Sequence, residues 1–345
     1  MANKIRTLLI DDSPFMRKVI GDIITADGEL ELVGTAANGR EGSTLATTLK
    51  PDVVVTDMVM PEYDGAYLVR AVMDQRPVPI ILLSSLEKNN VRIFDALQSG
   101  AFDFIDKPVD FDVNSIRDYR LRALIKEAAR ADISALKSKT IRKTNRGAHT
   151  FDSTLNYSII AIGASTGGPS AVESIIFNLP ANLQIPVVIG QHMPARFLES
   201  FAERLNNHNH LPVTVARAGD PLEGGGIYII NGDHNSGLTR LPSENRVIFS
   251  TVQRKFADFN HPSINCLFTA VAEVYGAKSI GVILTGMGKD GAEGLLRIKS
   301  KGGFTIAQDE GSSVVYGMPK AAVELGAVRQ TVPLHEIPGF IVSCL

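Results

Sequence analysis

Short apolar runs that stop on a polar residue, each followed by apolar residues at helical spacing, recur through this chain of 345 residues. Thr7–Ile10 ends at Asp11-Asp12, Val53–Val55 leads to Asp57, Pro79–Leu83 ends at Ser84-Ser85, and Phe102–Ile105 ends at Asp106-Lys107-Pro108; Leu32-Val33-Gly34 is a weaker fifth run. Continuous apolar runs of this length suit strands buried on both faces. Between them, Phe15, Val19, Ile20, Ile23 and Ile24, and then Tyr67, Leu68, Ala71 and Val72, repeat as one face of a helix. Strands alternating with helices build a parallel sheet covered on both sides. In such sheets ligands bind beyond the carboxyl ends of the strands.

That rule gives the polar run-ends their interest. Asp11, Asp12, Asp57, Ser84 and Lys107 all fall at carboxyl ends of predicted strands. Clustered carboxylates repel one another and call for a cation, and a hard oxygen-ligand set suits Mg²⁺. The metal and the Lys107 ammonium could stabilise phosphoryl oxygens while an Asp oxygen attacks phosphorus. A single Asp more often just ends a strand or caps a helix. A set of polar ends together with Met60-Pro61 and Asp64-Gly65 is harder to explain that way.

On those residues, about 1–125 resembles the receiver domain of two-component response regulators. The resemblance implies a flavodoxin-like domain with a parallel five-stranded sheet in the order 2-1-3-4-5. It implies that Asp57 accepts phosphate from a sensor histidine kinase, and that Asp11 or Asp12, Asp57 and the Val59 carbonyl hold Mg²⁺. It also implies that Ser84 and Lys107 contact the phosphoryl group and that Phe104 is a switch aromatic. Tyr63 departs from the Met or Leu more usual beside this loop.

Residues 113–136 keep a helical spacing, and 126–153 read as a helix extension running into a basic, solvated linker. From 131 to 150, Lys137, Lys139, Arg142, Lys143 and Arg146 stand against one acid, Asp132, and large apolar residues nearly vanish. A basic patch for nucleic acid or membrane is the rival reading. The net charge of −2 gives no support to strong nonspecific nucleic-acid binding.

A second α/β domain is expected over 154–345. Its strand candidates are 157–162, 186–190, 213–216, 227–230, 247–250, 279–284, 305–307 and 327–331. Long helical patterns are missing between 213 and 250, which predicts a doubly wound, mainly parallel sheet with an antiparallel edge or hairpin. The first strand breaks at Gly163 and passes through Ala164-Ser165-Thr166-Gly167-Gly168 into Pro169, a residue suited to the first turn of a helix. Ser165 is thus on a strand-to-helix turn, where helix-start N–H groups can hold a developing negative charge. Such a turn can also simply start a helix or cradle a phosphate. Two further strand ends could join it at the same sheet edge: Gln191-His192-Met193-Pro194 and Thr285-Gly286-Met287-Gly288-Lys289-Asp290-Gly291. A Ser, a His and an Asp there form a possible triad, with His192 taking the Ser165 proton and Asp290 fixing the imidazole tautomer. Of the other histidines, His208 and His210 read as solvated, and His234 and His261 as loop residues able to line a pocket.

The four segments 163–168, 191–194, 284–291 and Tyr316-Gly317-Met318-Pro319, in this order behind a receiver, resemble the catalytic domain of the chemotaxis methylesterase family, CheB. The resemblance implies Ser165 as nucleophile, His192 as base and Asp290 as orienting acid, with the Met287 N–H in an oxyanion hole and Thr166 beside the nucleophile. It implies hydrolysis of γ-glutamyl methyl esters on the cytoplasmic helices of methylated chemoreceptors, and glutamine deamidation by the same machinery. No cofactor is expected for the esterase step. Partners would be a chemotaxis-type kinase and the receptors. An unphosphorylated receiver would cover the catalytic face, and phosphorylation of Asp57 would relieve it. Two departures are Ile230-Asn231-Gly232, where Ala-Pro-Gly is usual, and Asn265, where an acid is usual.

Other functions fit less well. A DNA-binding output domain would need a basic helix-turn-helix after the linker, and none is evident. A phosphate sink would not need all of Ser165, His192 and Asp290. A receiver-controlled serine hydrolase with another ester or amide substrate keeps every motif and stays open. No apolar run approaches the roughly 18 residues of a membrane span, and the first residues do not resemble a signal peptide. Cys266 and Cys344 stand far apart, which suits a reducing compartment, so a cytoplasmic location without membrane insertion is expected.

Overall fold

The computed structural model describes residues 3–84, 90–107, 116–131, 157–243, 246–253 and 262–345. The chain divides into two compact units, Met1–Lys139 and Thr140–Leu345. The linker expected from residue 132 to 153 and His261 lie outside the described residues.

The first unit alternates strand and helix throughout: β1 (Ile5–Ile10), α1 (Pro14–Thr25), β2 (Leu30–Ala36), α2 (Gly39–Leu49), β3 (Val53–Asp57), α3 (Gly65–Gln75), β4 (Ile80–Ser84), α4 (Asn90–Gln98), β5 (Asp103–Asp106) and α5 (Ile116–Ala128). All five strands pair in parallel, in the order β2-β1-β3-β4-β5. This is the flavodoxin-like order expected from the motifs. Every residue of β3 and β4 is buried, which is why they open in the sequence as the apolar runs Val53–Val55 and Ile80–Leu83. Helix starts follow local chemistry. Ser13 accepts from the Met16 N–H ahead of Pro14, Asn38 from Arg40 and Glu41, and Asp64 from Tyr67. Leu121, Leu124, Ile125 and Ala128 bury one face of α5.

The second unit contains β6 (Ile159–Ala164), α6 (Gly168–Ile176), β7 (Val187–Gln191), α7 (Ala195–His208), β8 (Val213–Ala216), β9 (Ile227–Ile230), β10 (Asn235–Leu241), β11 (Arg246–Val252), α8 (Ile264–Tyr275), β12 (Ser279–Ile283), α9 (Ala292–Ser300), β13 (Phe304–Gln308), α10 (Met318–Glu324), β14 (Gln330–Val332) and α11 (Ile337–Cys344). Seven strands form one sheet, β14-β13-β12-β6-β7-β9-β8, parallel at every pairing. The expected antiparallel element exists, but as a separate hairpin of β10 and β11 outside this sheet. Leu238, Val247 and Phe249 of the hairpin share a core with Ile264, Leu267 and Phe268 of α8. The hairpin therefore completes its burial against a helix, as an isolated two-stranded ribbon must.

From β6 the chain winds one way to β7, and from β12 it winds the other way to β13. The reversal lies between β6 and β12, which are direct neighbours. A crevice outside the carboxyl ends of strands is expected at such a switch point.

Candidate active site

Two groups of polar residues occupy carboxyl ends of these sheets, one in each unit. In the first unit, Asp11 follows β1, Asp57 ends β3, Ser84 ends β4 and Lys107 follows β5. The Lys107 ammonium lies 2.8 Å from Asp11 Oδ2 and 2.6 Å from Asp57 Oδ2. Both carboxylates are almost fully buried. Burial pushes the Asp57 carboxyl up, against the downward pull of Lys107. Burial also disfavours the Lys107 ammonium, but its bonds to Asp11 and Asp57 win and hold it above its ordinary value. Carboxylate oxygens of Asp11, Asp12 and Asp57 all lie within 4.8 Å of one another. Three hard oxygen donors so close, with one cation already drawn among them, fit a divalent metal such as Mg²⁺.

The rest of the predicted set is nearby in the fold. The Lys107 N–H donates to the Ser84 carbonyl, and the Val59 N–H donates to Asp57 Oδ1 at 3.3 Å. Phe104 is buried in an edge-on contact with Phe94, ring centroids 6.4 Å apart. Gly65 is required beside the site, because a Cβ there would lie 2.6 Å from the Asp57 carbonyl oxygen. Tyr63 packs on Tyr67 and under the Arg40 guanidinium, away from the carboxylates' own contacts.

In the second unit, Ser165, His192 and the 285–290 loop leave β6, β7 and β12, three consecutive neighbours in the sheet. The Ser165 N–H donates to the Thr285 carbonyl at 3.1 Å, and the His192 N–H donates to the Ala164 carbonyl at 3.0 Å. The Ser165 turn is thus stitched to both flanking loops. Gly167 turns the chain into α6 with φ of 74°, a left-handed conformation that favours glycine. Gly286 approaches closely: a Cβ on it would lie 2.7 Å from the Ser165 Cβ. Met287 is the next residue, so its backbone belongs to the loop that abuts Ser165. The 316–319 motif closes on that loop, with the Met318 N–H donating to the Gly286 carbonyl at 2.8 Å.

His192 Nε2 donates to Asp290 Oδ2 at 2.8 Å, across 98 residues of sequence. A carboxylate can only accept, so this bond fixes the proton on Nε2 and leaves Nδ1 as the basic nitrogen. Asp290 is 1% exposed. It sits on the N-terminus of α8. The Ile264 N–H donates to its Oδ2 at 2.8 Å, the Asn265 N–H to its Oδ1 at 2.9 Å, and the Ser263 hydroxyl to the same Oδ1 at 3.3 Å. Helix-start N–H groups and the helix dipole favour an anion here. Burial alone would raise the Asp290 carboxyl, but His192 and these N–H groups outweigh it and hold the group below the usual carboxylate range.

The anion site at the start of α8 was not part of the sequence expectation. Its one local signal is Ser263, an N-cap that accepts from the Cys266 N–H. Asn265, the departure noted above, uses its side-chain oxygen to accept from the Gly294 N–H at 2.8 Å, so it ties α8 to α9. The 230–232 departure lies against the His192 loop, since a Cβ on Gly232 would be 2.9 Å from the Met193 carbonyl. His208, His210 and His234 are exposed. Sequence reasoning also passed over Gln191 and Thr285. The buried Thr285 hydroxyl donates to the Thr166 carbonyl at 3.0 Å and accepts from the Val315 N–H at 2.9 Å.

Comparison with known proteins agrees with this architecture. The family model for CheB methylesterase matches residues 160–341, and that for the response regulator receiver domain matches residues 7–116. A protein-glutamate methylesterase/protein-glutamine glutaminase of Pyrococcus horikoshii is 38% identical over 351 residues, covering 100% of this chain and 95% of the relative. One of the same name from Archaeoglobus fulgidus is 38% identical over 347 residues, covering 99% and 98%. The crystal structure of the Thermotoga maritima CheB methylesterase catalytic domain matches with a TM-score of 0.53 and 38% identity, covering 55% of this chain and 100% of that one. With both domain types in order and full-length relatives well above 30% identity, the chain belongs to the CheB methylesterase family, with a response regulator receiver domain ahead of its methylesterase domain.

Proposed function

We propose that this chain is a phosphorylation-regulated protein-glutamate methylesterase and protein-glutamine glutaminase, with Ser165 as nucleophile, His192 as base and Asp290 as its orienting anion. The observation that carries the reading is the 2.8 Å bond from His192 to a buried Asp290 that a helix N-terminus keeps ionised, one strand away from Ser165. The curated relatives bear the name of this double activity.

In this mechanism the Ser165 oxygen attacks the ester carbonyl carbon and its proton passes to His192 Nδ1. The carbonyl oxygen becomes an oxyanion, which the Met287 N–H would meet beside Ser165 and Thr166. Collapse expels methoxide, which leaves as methanol with the proton from His192. Water then attacks the acyl-enzyme by the same base and releases glutamate. On glutamine the leaving group is ammonia. Asp290 stays ionised throughout and stabilises the imidazolium. No cofactor enters these steps.

Regulation belongs to the first unit. Asp57 would accept phosphate from a chemotaxis-type histidine kinase. Asp11, Asp12, Asp57 and the Val59 carbonyl would hold Mg²⁺, which when bound neutralises charge on the phosphoryl group. Ser84 and Lys107 would contact that group, and Phe104 would report its presence. The substrates would be methylated chemoreceptor helices in the cytoplasm.

The test is methanol release from methylated chemoreceptor membranes, with and without Mg²⁺ and acetyl phosphate. Release should rise with the phosphodonor, and Ser165→Ala should lower it by at least about 10³-fold. No release from a protein that still phosphorylates would move the substrate to another ester or amide.

A further inference from the structure

We propose that Gln191 is a positioning residue for the reaction, whose side-chain amide locks the turn carrying Ser165 to the turn carrying His192. The proposal rests on the assignment of those two residues as nucleophile and base. Strands β6 and β7 pair in register, Ala164 opposite Gln191. Both strands end there, so Ser165 and His192 are the first residues of two adjacent loops. The last rung of the ladder is the bond from the His192 N–H to the Ala164 carbonyl, which fixes the backbone up to that point. Gln191 takes over: its Nε2 donates to the Ser165 carbonyl at 3.0 Å and to the His192 carbonyl at 3.1 Å. An amide NH₂ has two hydrogens, and here each goes to one of the two catalytic residues.

The other end of the amide shows what this arrangement gives up. Gln191 is 1% exposed, and its Oε1 is buried with no hydrogen-bond partner among the described residues. A buried acceptor left unmatched is unfavourable and calls for a reason. A side chain that merely filled this space would be apolar. The two donations are the reason the amide is kept. Room for it depends on Gly168, where a Cβ would stand 2.2 Å from Oε1 and 2.9 Å from the Ala164 Cβ. Glycine at that point leaves the amide room at the start of α6.

The full chain tests this with two readouts. One is kcat and KM for methanol release from methylated receptor membranes. The other is the rate at which a fluorophosphonate probe labels Ser165, which needs no receptor. Gln191→Met keeps the length and loses both donors. It should lower kcat and the labelling rate by about 10- to 100-fold, the scale of a small misplacement of reacting groups, with KM changed less than about twofold. Gly168→Ala should do the same by displacing the amide. In a Gln191→Ala background, Gly168→Ala should then cost less than it does alone, the remainder coming from its contact with the Ala164 Cβ, since coupled residues are not additive. Melting curves identify variants that fold, and the Gly168→Ala and Gln191→Ala pair carries the test if Gln191→Met does not. An unchanged kcat in folded Gln191→Met, or fully additive losses in the double variant, overturns the proposal. A wild-type chain that neither releases methanol nor labels at Ser165 overturns the nucleophile assignment beneath it.

Discussion

Asp57 and Asp290 are both buried aspartates at the carboxyl edge of a parallel sheet, yet their surroundings push them in opposite directions. Asp57 shares its site with Asp11 and one lysine, and burial raises its carboxyl. Asp290 accepts from a serine hydroxyl, from an imidazole and from two N–H groups of α8, and against the upward push of burial the imidazole and the N–H groups lower it. The contrast fits the two proposed jobs. A carboxylate that must attack phosphorus and later release it needs an unsettled site that a cation completes. A carboxylate that only orients a histidine needs a site that keeps it ionised without help.

The sharpest way to break this comparison is to remove each charge. Asp290→Asn should lower methanol release by about 10³- to 10⁴-fold, because His192 loses the partner that sets its tautomer. A loss under tenfold would mean that Asp290 only supports the fold. Asp57→Asn should abolish acyl-phosphate formation and the rise in activity with acetyl phosphate, read by phosphoprotein gel and methanol release. Stimulation that survives would place the phosphate elsewhere.

Stability separates the two sites further. Without divalent cation at pH 7, Asp290→Asn should lower the melting temperature. Asp57→Asn should leave it level or raise it, since burial disfavours the charge it removes. The pH dependence has a definite sign. A carboxyl lowered on folding contributes stability above its unfolded value, about 3.9, and loses it as pH falls through the folded one. The gap between wild type and Asp290→Asn should therefore be full at neutral pH and shrink below about pH 4. A gap independent of pH would assign the effect to packing. The smallest effect sharpens the picture of the second site. Thr285→Val keeps the shape but orphans the Val315 N–H and takes the hydroxyl from the Thr166 carbonyl, which should cost about 1–3 kcal/mol in denaturant unfolding. Thr285→Ser should recover most of that.

The parts of the fold legible in the sequence are those where one physical cause acts locally. β3, β4, β6 and β7 are buried on both faces, so they open on apolar runs and polar side chains appear only at or near their ends. The order of the receiver sheet was implied by the family resemblance that its motifs carry. Elements whose stability comes from elsewhere were not legible. β10 opens with Asn235-Ser236-Gly237, a poor strand sequence, and is held by β11 and by α8. α11 carries Pro338 and Gly339 within its first turn, a pair that more often marks a turn than a helix. Proline is compatible with that position because the N–H it lacks would have had no helical partner.

The residues alone marked two α/β domains and the strand ends and loops that carry Asp57, Ser165, His192 and Asp290. How those groups are tuned came from the folded arrangement. Ile264 and Asn265 lie 26 and 25 residues from the carboxylate they hold, and Gln191 lies 26 residues from the Ser165 carbonyl it ties down. Such contacts leave no periodicity in the chain, and a motif that includes Gln191 does not show which atoms its amide will meet. They exist because a parallel sheet brings successive strand ends to one edge, where helix starts and buried amides meet the reacting groups from the side.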